Sequence, residues 1–300
     1  MTKVLIVGAT GLVGSNLVIA CEAAGHEVRA MVRPETLLNS SKVVPLKASG
    51  VNIIEGSLED FDSLIQACDD VDVVISAVGA GQLAQQSDLI RAAKQMGVNR
   101  FIPSDFGVDP KIAGVDSCVI FDLKATIQST VRESGLNYTI INANGFFEYW
   151  LYGLGQIGLT EPPEEVELYG EGKVIAALVS VHDIARITAA TIDDPRTRNK
   201  ELTIFANIHS QEELIQLWED ISGSMVKRNP VSLNDLEKVI AESTTPDTFG
   251  DLIFAQLKRS VWLRGDAGKI AKGALDTAML YPEIKLASAR DSLMNLLKHA

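Results

Sequence analysis

The sequence has no apolar stretch long enough to span a bilayer as a helix, so no membrane role is expected. It holds only three cysteines, Cys21, Cys68 and Cys118, scattered and without a CxxC pair. That set suits neither a disulfide framework nor a zinc site, and small buried thiols in a reducing compartment are expected. The four histidines are equally scattered, and no metal site is expected. Basic charge is in deficit: 27 Lys and Arg against 39 Asp and Glu leave a net charge of -12. No local run of Lys or Arg offsets this, so nucleic-acid binding has no electrostatic support. No basic, apolar leader precedes the first strand at Lys3, which predicts a cytoplasmic rather than a secreted protein. Internal repeats and low-complexity tracts are lacking too.

What remains is ordinary globular material, 46% hydrophobic over 300 residues, enough for one large domain with a smaller lobe. Strand and helix alternate through the first half. "KVLIVGA", "HEVRAMVR", "VNIIEG", "VDVVISAVG", "NRFIPSD" and "NYTIINA" read as strands. "LVGSNLVIACEAAG", "FDSLIQACDD", "QSDLIRAAKQMG" and the stretch from "VIFDLKATIQSTV" read as helices between them. "LLNSSKVVPLKASG" is a helix or an irregular crossover, because Pro45 interrupts it. The pattern predicts an α/β protein with a Rossmann-type, doubly wound parallel sheet. Residues 1–150 are expected to form the dinucleotide-binding domain and 151–300 a smaller substrate lobe that interleaves with the sheet. In that half "GLGQIGLTEPPEE" reads as a loop and "KVIAALVSV" and "KELTIFA" as strands. "VHDIARITAATIDDP" and "SQEELIQLWEDISG" read as helices, opened by capping-box pairs Ser180/Asp183 and Ser210/Glu213. The remainder reads as mostly helical.

The chemistry-bearing residues sit at strand ends. "GATGLVG" follows the first strand and opens a helix, with Gly8, Gly11 and Gly14 at GxxGxxG spacing. Glycine there allows a tight turn and close backbone approach to a pyrophosphate, which the helix amino terminus then attracts. An NAD site places Asp or Glu near the end of the second strand, whereas this sequence has Arg33, with Lys42 beyond it. A guanidinium there suits a 2′-phosphate, which predicts NADPH/NADP+ as cofactor. The fourth strand ends in "SAVGAG" and the fifth in "FIPSDFG", where the adenosine and nicotinamide ends are expected.

The ordered set "GATGLVG", "VRP", "SAVG", "FIPSDFG", "FDLK", "NYTIINANGFF" and "DDPRTRNKELTIF" resembles the NmrA-like family of atypical short-chain dehydrogenases. Within it the sequence is most similar to the isoflavone reductase and phenylcoumaran benzylic ether reductase group. The likeness is thinnest from about 240 to 285. By that resemblance the phosphate loop maps onto Gly8, Thr10, Gly11, Leu12, Val13 and Gly14. The 2′-phosphate ligands map onto Arg33 and Lys42, and further cofactor contacts onto Ser76, Val78, Gly79, Ser104, Phe106 and Asn144. Asp105 departs from the family, whose reductases more often carry glutamate.

The family's reductases lack the short-chain dehydrogenase tyrosine, and Ile120 stands at that position here. They keep a lysine, which maps onto Lys124. Helical periodicity alone puts Lys124 about 100° from Leu123, at the edge of the apolar face formed by Val119, Leu123, Ile127 and Val131. That position suits a snorkelling surface lysine, and only the resemblance makes Lys124 a catalytic or cofactor-binding residue. The implied activity is hydride transfer from NADPH to a small aromatic or phenolic molecule. Phe146, Phe147 and Trp150, in "NGFFEYWLYGLG", are the expected substrate contacts, though packing explains such aromatics equally well. A monomer or homodimer is expected. A second possibility is an NmrA-type redox sensor that binds dinucleotide without turnover. An epimerase-like enzyme is disfavoured by the missing YxxxK motif.

Overall fold

The structure, a computed structural model, describes residues 1–38 and 40–299. It divides into two compact units. The first comprises Met1–Phe106, Leu123–Ile141 and Val181–Leu202. Its strands are β1 (Lys3–Val7), β2 (Glu27–Val32), β3 (Asn52–Glu55), β4 (Val73–Ser76), β5 (Arg100–Ile102) and β6 (Asn137–Asn142). Neighbouring strands among them pair parallel, in the order β6-β5-β4-β1-β2-β3, and Lys200–Thr203 lies beside β6. The order reverses between β1 and β4, and such a reversal opens a crevice at the strand carboxyl ends.

The apolar strand runs explain this arrangement. All four residues of β4 are buried, as befits a strand covered on both faces. Leu5, Val74, Leu89, Phe101, Ile127 and Ile140 pack together in one core between sheet and helices. The helix Leu12–Ala23 packs against the helix Val181–Thr191. The uncertain crossover forms a helix over Ser40–Ser49 despite Pro45, leaving aside Asn39, which lies outside the described residues. Proline costs that helix one backbone bond, which its neighbours tolerate.

The second unit comprises Gly107–Asp122, Asn142–Ser180 and Thr203–Ala300. In it Ile175–Val179 pairs parallel with Gly145–Phe146 and antiparallel with Ile208–Ser210. Glu165–Tyr169 pairs parallel with Lys227–Val231. Ile175–Val179 is the strand expected in "KVIAALVSV", and the stretch after Gly223 is mostly helical as expected, with Lys227–Val231 a strand that interrupts it. Pro230 inside Lys227–Val231 masks the strand in sequence, since proline confines a strand to a sheet edge. A small core of Leu154, Val166, Ile215 and Val226 holds the pair against the helix Gln211–Ser222.

That helix begins with the expected capping box. Ser210 Oγ accepts from the Glu213 N–H, and the Glu213 carboxylate accepts from the Ser210 N–H. Gly223, in the left-handed region at φ 72°, closes its other end. Replacing Ser210 with Ala is expected to cost about 1 kcal/mol, read as a lower urea midpoint with an unchanged slope.

All three cysteines are free and buried. Burial pushes the Cys21 and Cys68 thiols up to about 12 from 9.0; Glu22 adds to the effect at Cys21, and Arg29 opposes it at Cys68. The folded state therefore holds protons that the unfolded chain releases first. Stability is expected to be intact below about pH 9 and to fall from there towards about pH 12. A Cys21→Ala/Cys68→Ala double variant should show a shallower alkaline decline in urea titrations.

Candidate active site

The site is built from the turn after β1. Gly8 has φ +86°, and a Cβ there would lie 2.4 Å from the Ala77 carbonyl oxygen. A Cβ on Gly14 would lie 2.0 Å from the Gly8 carbonyl oxygen. Glycine is thus required at both positions by backbone approach. The turn is closed by the Gly11 N–H donating to Gly8 O at 2.9 Å, and the end of β4 is tied in by the Ala77 N–H donating to Val7 O at 2.8 Å. Gly11 then caps Leu12–Ala23 without any side-chain bond, and the first turn carries no acidic residue. The first-turn N–H groups of Leu12, Val13 and Gly14 and the positive end of the helix dipole are left for an anion.

A cleft of about 330 Å³ opens beside this turn. Of the expected residues, Gly8, Thr10, Gly11, Arg33, Lys42, Val78 and Gly79 line it. Leu12, Val13 and Gly14 follow Gly11 in the chain but do not line it. Ser76 is fully buried, and Ala77 takes the lining position instead. The lining also includes residues that sequence reasoning passed over, notably Glu35, Glu59, Gln82 and Gln85. Arg33 Nη1 lies 3.1 Å from Glu35 Oε1, while Glu59 accepts from Gln85 Nε2 at 3.3 Å. Two cations in an otherwise acidic protein, next to an uncapped helix start, fit a phosphorylated dinucleotide. Among the described residues no group of His, Cys, Asp or Glu could hold a metal ion.

The loop after β5 carries the second part of the site. Ser104 Oγ donates to Val78 O at 2.8 Å, and the Ser104 N–H donates to Gln86 Oε1 at 2.8 Å. These bonds tie the β5 loop to the β4 loop. Phe106 is held at φ +29°, which non-glycine residues rarely adopt. Lys124 reaches in from the helix Val119–Glu133, with its side chain only 11% exposed. Its ammonium donates to the Asp105 carbonyl oxygen and lies 4.0 Å from the Asp105 carboxylate. It is therefore not the snorkelling surface lysine that periodicity suggests. Asp105 is itself buried, and Gln128 Nε2 donates to its Oδ2 at 2.7 Å. Arg132 donates in turn to Gln128 Oε1 at 2.8 Å and to Glu201 at 2.5 Å. The helix spacing 124, 128, 132 places these partners on one face.

Asn144, Phe146, Phe147 and Trp150 belong to the second unit. Asn144 has φ +54°, and its Nδ2 donates to Ile204 O at 3.1 Å. Its Oδ1 is buried without a partner among the described residues. Phe147 is fully buried, and Trp150 packs edge-on against Trp262 at 5.8 Å. Phe146 stacks on the half-exposed Tyr149 at 5.4 Å. Burial, and secondarily Glu148, raises the Tyr149 phenol above its ordinary value, so it stays neutral at physiological pH.

A family model for the NmrA-like family matches residues 1–290. The chain belongs to the NmrA-like family. Its NmrA-like relatives include a phenylcoumaran benzylic ether reductase of Ginkgo biloba, 37% identical over 97% of this chain and 98% of that protein. Eugenol synthase 1 of Petunia hybrida is 35% identical, covering 97% of each chain. A solved structure of AtPrR2 with NADP+ and (+)-pinoresinol superposes with a TM-score of 0.88, at 32% identity over 98% of each chain.

The buried link through Gln128 is testable. Gln128→Leu removes one donor from a buried carboxylate and is expected to destabilise the protein by about 1–3 kcal/mol. Chemical denaturation would measure the loss, and an unchanged midpoint would show that the link carries no weight.

Proposed function

We propose that this protein is an NADPH-dependent reductase that transfers hydride to a small aromatic or phenolic molecule of the phenylpropanoid or isoflavonoid kind. The observation that carries this reading is the uncapped glycine turn opening on a cleft that holds Arg33 and Lys42. Whole-length similarity to named reductases supports it. NADPH supplies the hydride when bound.

The backbone from Gly8 to Gly14 receives the pyrophosphate, and Arg33 with Lys42 receives the 2′-phosphate. Val78, Gly79, Ser104 and Phe106 form the walls along the cofactor, with Ser76 behind them. Lys124 holds the nicotinamide ribose and donates hydrogen bonds to charge that develops on the substrate. In the second unit we assign Asn144, through its unpaired Oδ1, to the cofactor and Phe146, Phe147 and Trp150 to the substrate. The enzyme reading is favoured over a dinucleotide sensor by the withdrawal of Lys124 into a built polar cluster, which a sensor has no need of. We place the protein in the cytoplasm, as a monomer or homodimer; its buried free thiols suit a reducing compartment.

The test begins with separate titrations of NADPH, NADP+, NADH and NAD+. NADPH is expected to bind at least about tenfold more tightly than NADH, since only its 2′-phosphate adds contacts to Arg33 and Lys42. Equal binding of the oxidised forms with the reduced forms excluded would favour the sensor. With a phenolic substrate in hand, Lys124→Ala should bind NADPH almost normally and lose about 100-fold or more in kcat. Full turnover in that variant would remove Lys124 from the chemistry.

A further inference from the structure

Glu35 stands at the 2′-phosphate end of the cleft and is itself a lining residue. Its carboxylate pairs with Arg33 Nη1 at 3.1 Å, and both side chains are more than half exposed. The other cleft-lining acid, Glu59, is held elsewhere by Gln85. Glu35 is therefore the anion that competes for the guanidinium a 2′-phosphate would use. An exposed pair of this kind is weak, and a phosphate dianion can displace it. The displaced carboxylate stays tethered next to that dianion and repels it. With a plain ribose the situation inverts. In NAD sites a carboxylate at the end of the second strand accepts hydrogen bonds from ribose hydroxyls, and Glu35, three residues past that end in the helix Pro34–Leu37, stands beside the same place. Arg33 then keeps its partner, and no buried or unpaired charge is created.

We propose that Glu35 is a specificity-determining residue that holds cofactor selection below what Arg33 and Lys42 alone would give, leaving the site usable by NADH as well as by NADPH. The inference rests on the reading of Arg33 as the 2′-phosphate ligand. In this view the cleft carries two alternative recognition groups, one per cofactor, and they neutralise each other in the free protein. Arg33 is used for a phosphate and Glu35 for a diol.

The experiment is a fluorescence titration of NADPH and NADH against the wild type, Glu35→Gln and Arg33→Gln, with circular dichroism to confirm folding. Glu35→Gln should bind NADPH about three- to tenfold more tightly and NADH equally or more weakly, so that selectivity widens. Arg33→Gln should reverse the preference towards NADH, because Glu35 is then unopposed. If Glu35→Gln leaves NADPH binding unchanged or weaker while Arg33→Gln loses it, the role of Glu35 is overturned and the Arg33 assignment stands. If Arg33→Gln binds NADPH as the wild type does, the Arg33 assignment falls, and the role of Glu35 with it.

Discussion

The site depends on how closely the turn after β1 approaches the end of β4. Gly8 meets the Ala77 carbonyl, and Gly14 meets the Gly8 carbonyl, at distances no side chain could share. This contact aims the first turn of Leu12–Ala23 at the crevice where strand order reverses. A Cβ at either glycine would push the turn away from β4 and swing the free N–H groups off their target. The same contact positions Ala77, Val78 and Gly79 along one wall of the cleft. In the proposed reading, phosphate recognition is thus a property of backbone, and side chains only select which phosphates are bound.

The loop after β5 follows a different logic, because polar groups there are buried and must be satisfied. Ser104 bridges to Val78 and Gln86, and Asp105 gathers Lys124 and Gln128. Arg132 and Glu201 extend the chain of contacts along the same helix face. An ammonium held against a carbonyl and near a carboxylate has a fixed direction. In the proposed reading that orientation suits a hydrogen-bond donor to developing negative charge. Asp105 is tied into this network through its Oδ2 and its carbonyl oxygen.

Selection among cofactors is a matter of opposed charges. In the proposed reading Arg33 and Lys42 favour a phosphate, while Glu35, paired with Arg33 in the same cleft, offsets one of them. Arg33 and Lys42 are matched in the lining by Glu35 and Glu59 on a protein of overall charge -12, so each charge there matters to an anionic ligand.

Much of this was legible in the sequence. Continuous apolar runs ending in glycine marked the parallel strands, because a strand buried on both faces has no polar alternation. GxxGxxG after the first strand marked the phosphate turn, and Ser210 with Glu213 marked a helix start, because both signals are local in the chain. Arg33 could be read for its charge alone. Three features were not legible, for reasons of range. The strand Lys227–Val231 pairs with a segment some sixty residues away, and its Pro230 conceals it. Lys124 has the periodicity of a surface residue, and only the folded loop after β5 shows that it is buried against Asp105. Glu35 lies two residues beyond Arg33 in "VRPE" and was visible as an acid, yet its pairing with Arg33 depends on side-chain direction. By itself the sequence determined the sheet, the glycine turn after β1 and the family, since these rest on backbone patterns written in contiguous residues. Tertiary structure alone decided which charges meet, because a charge acts through distance in space and the chain records only distance along itself.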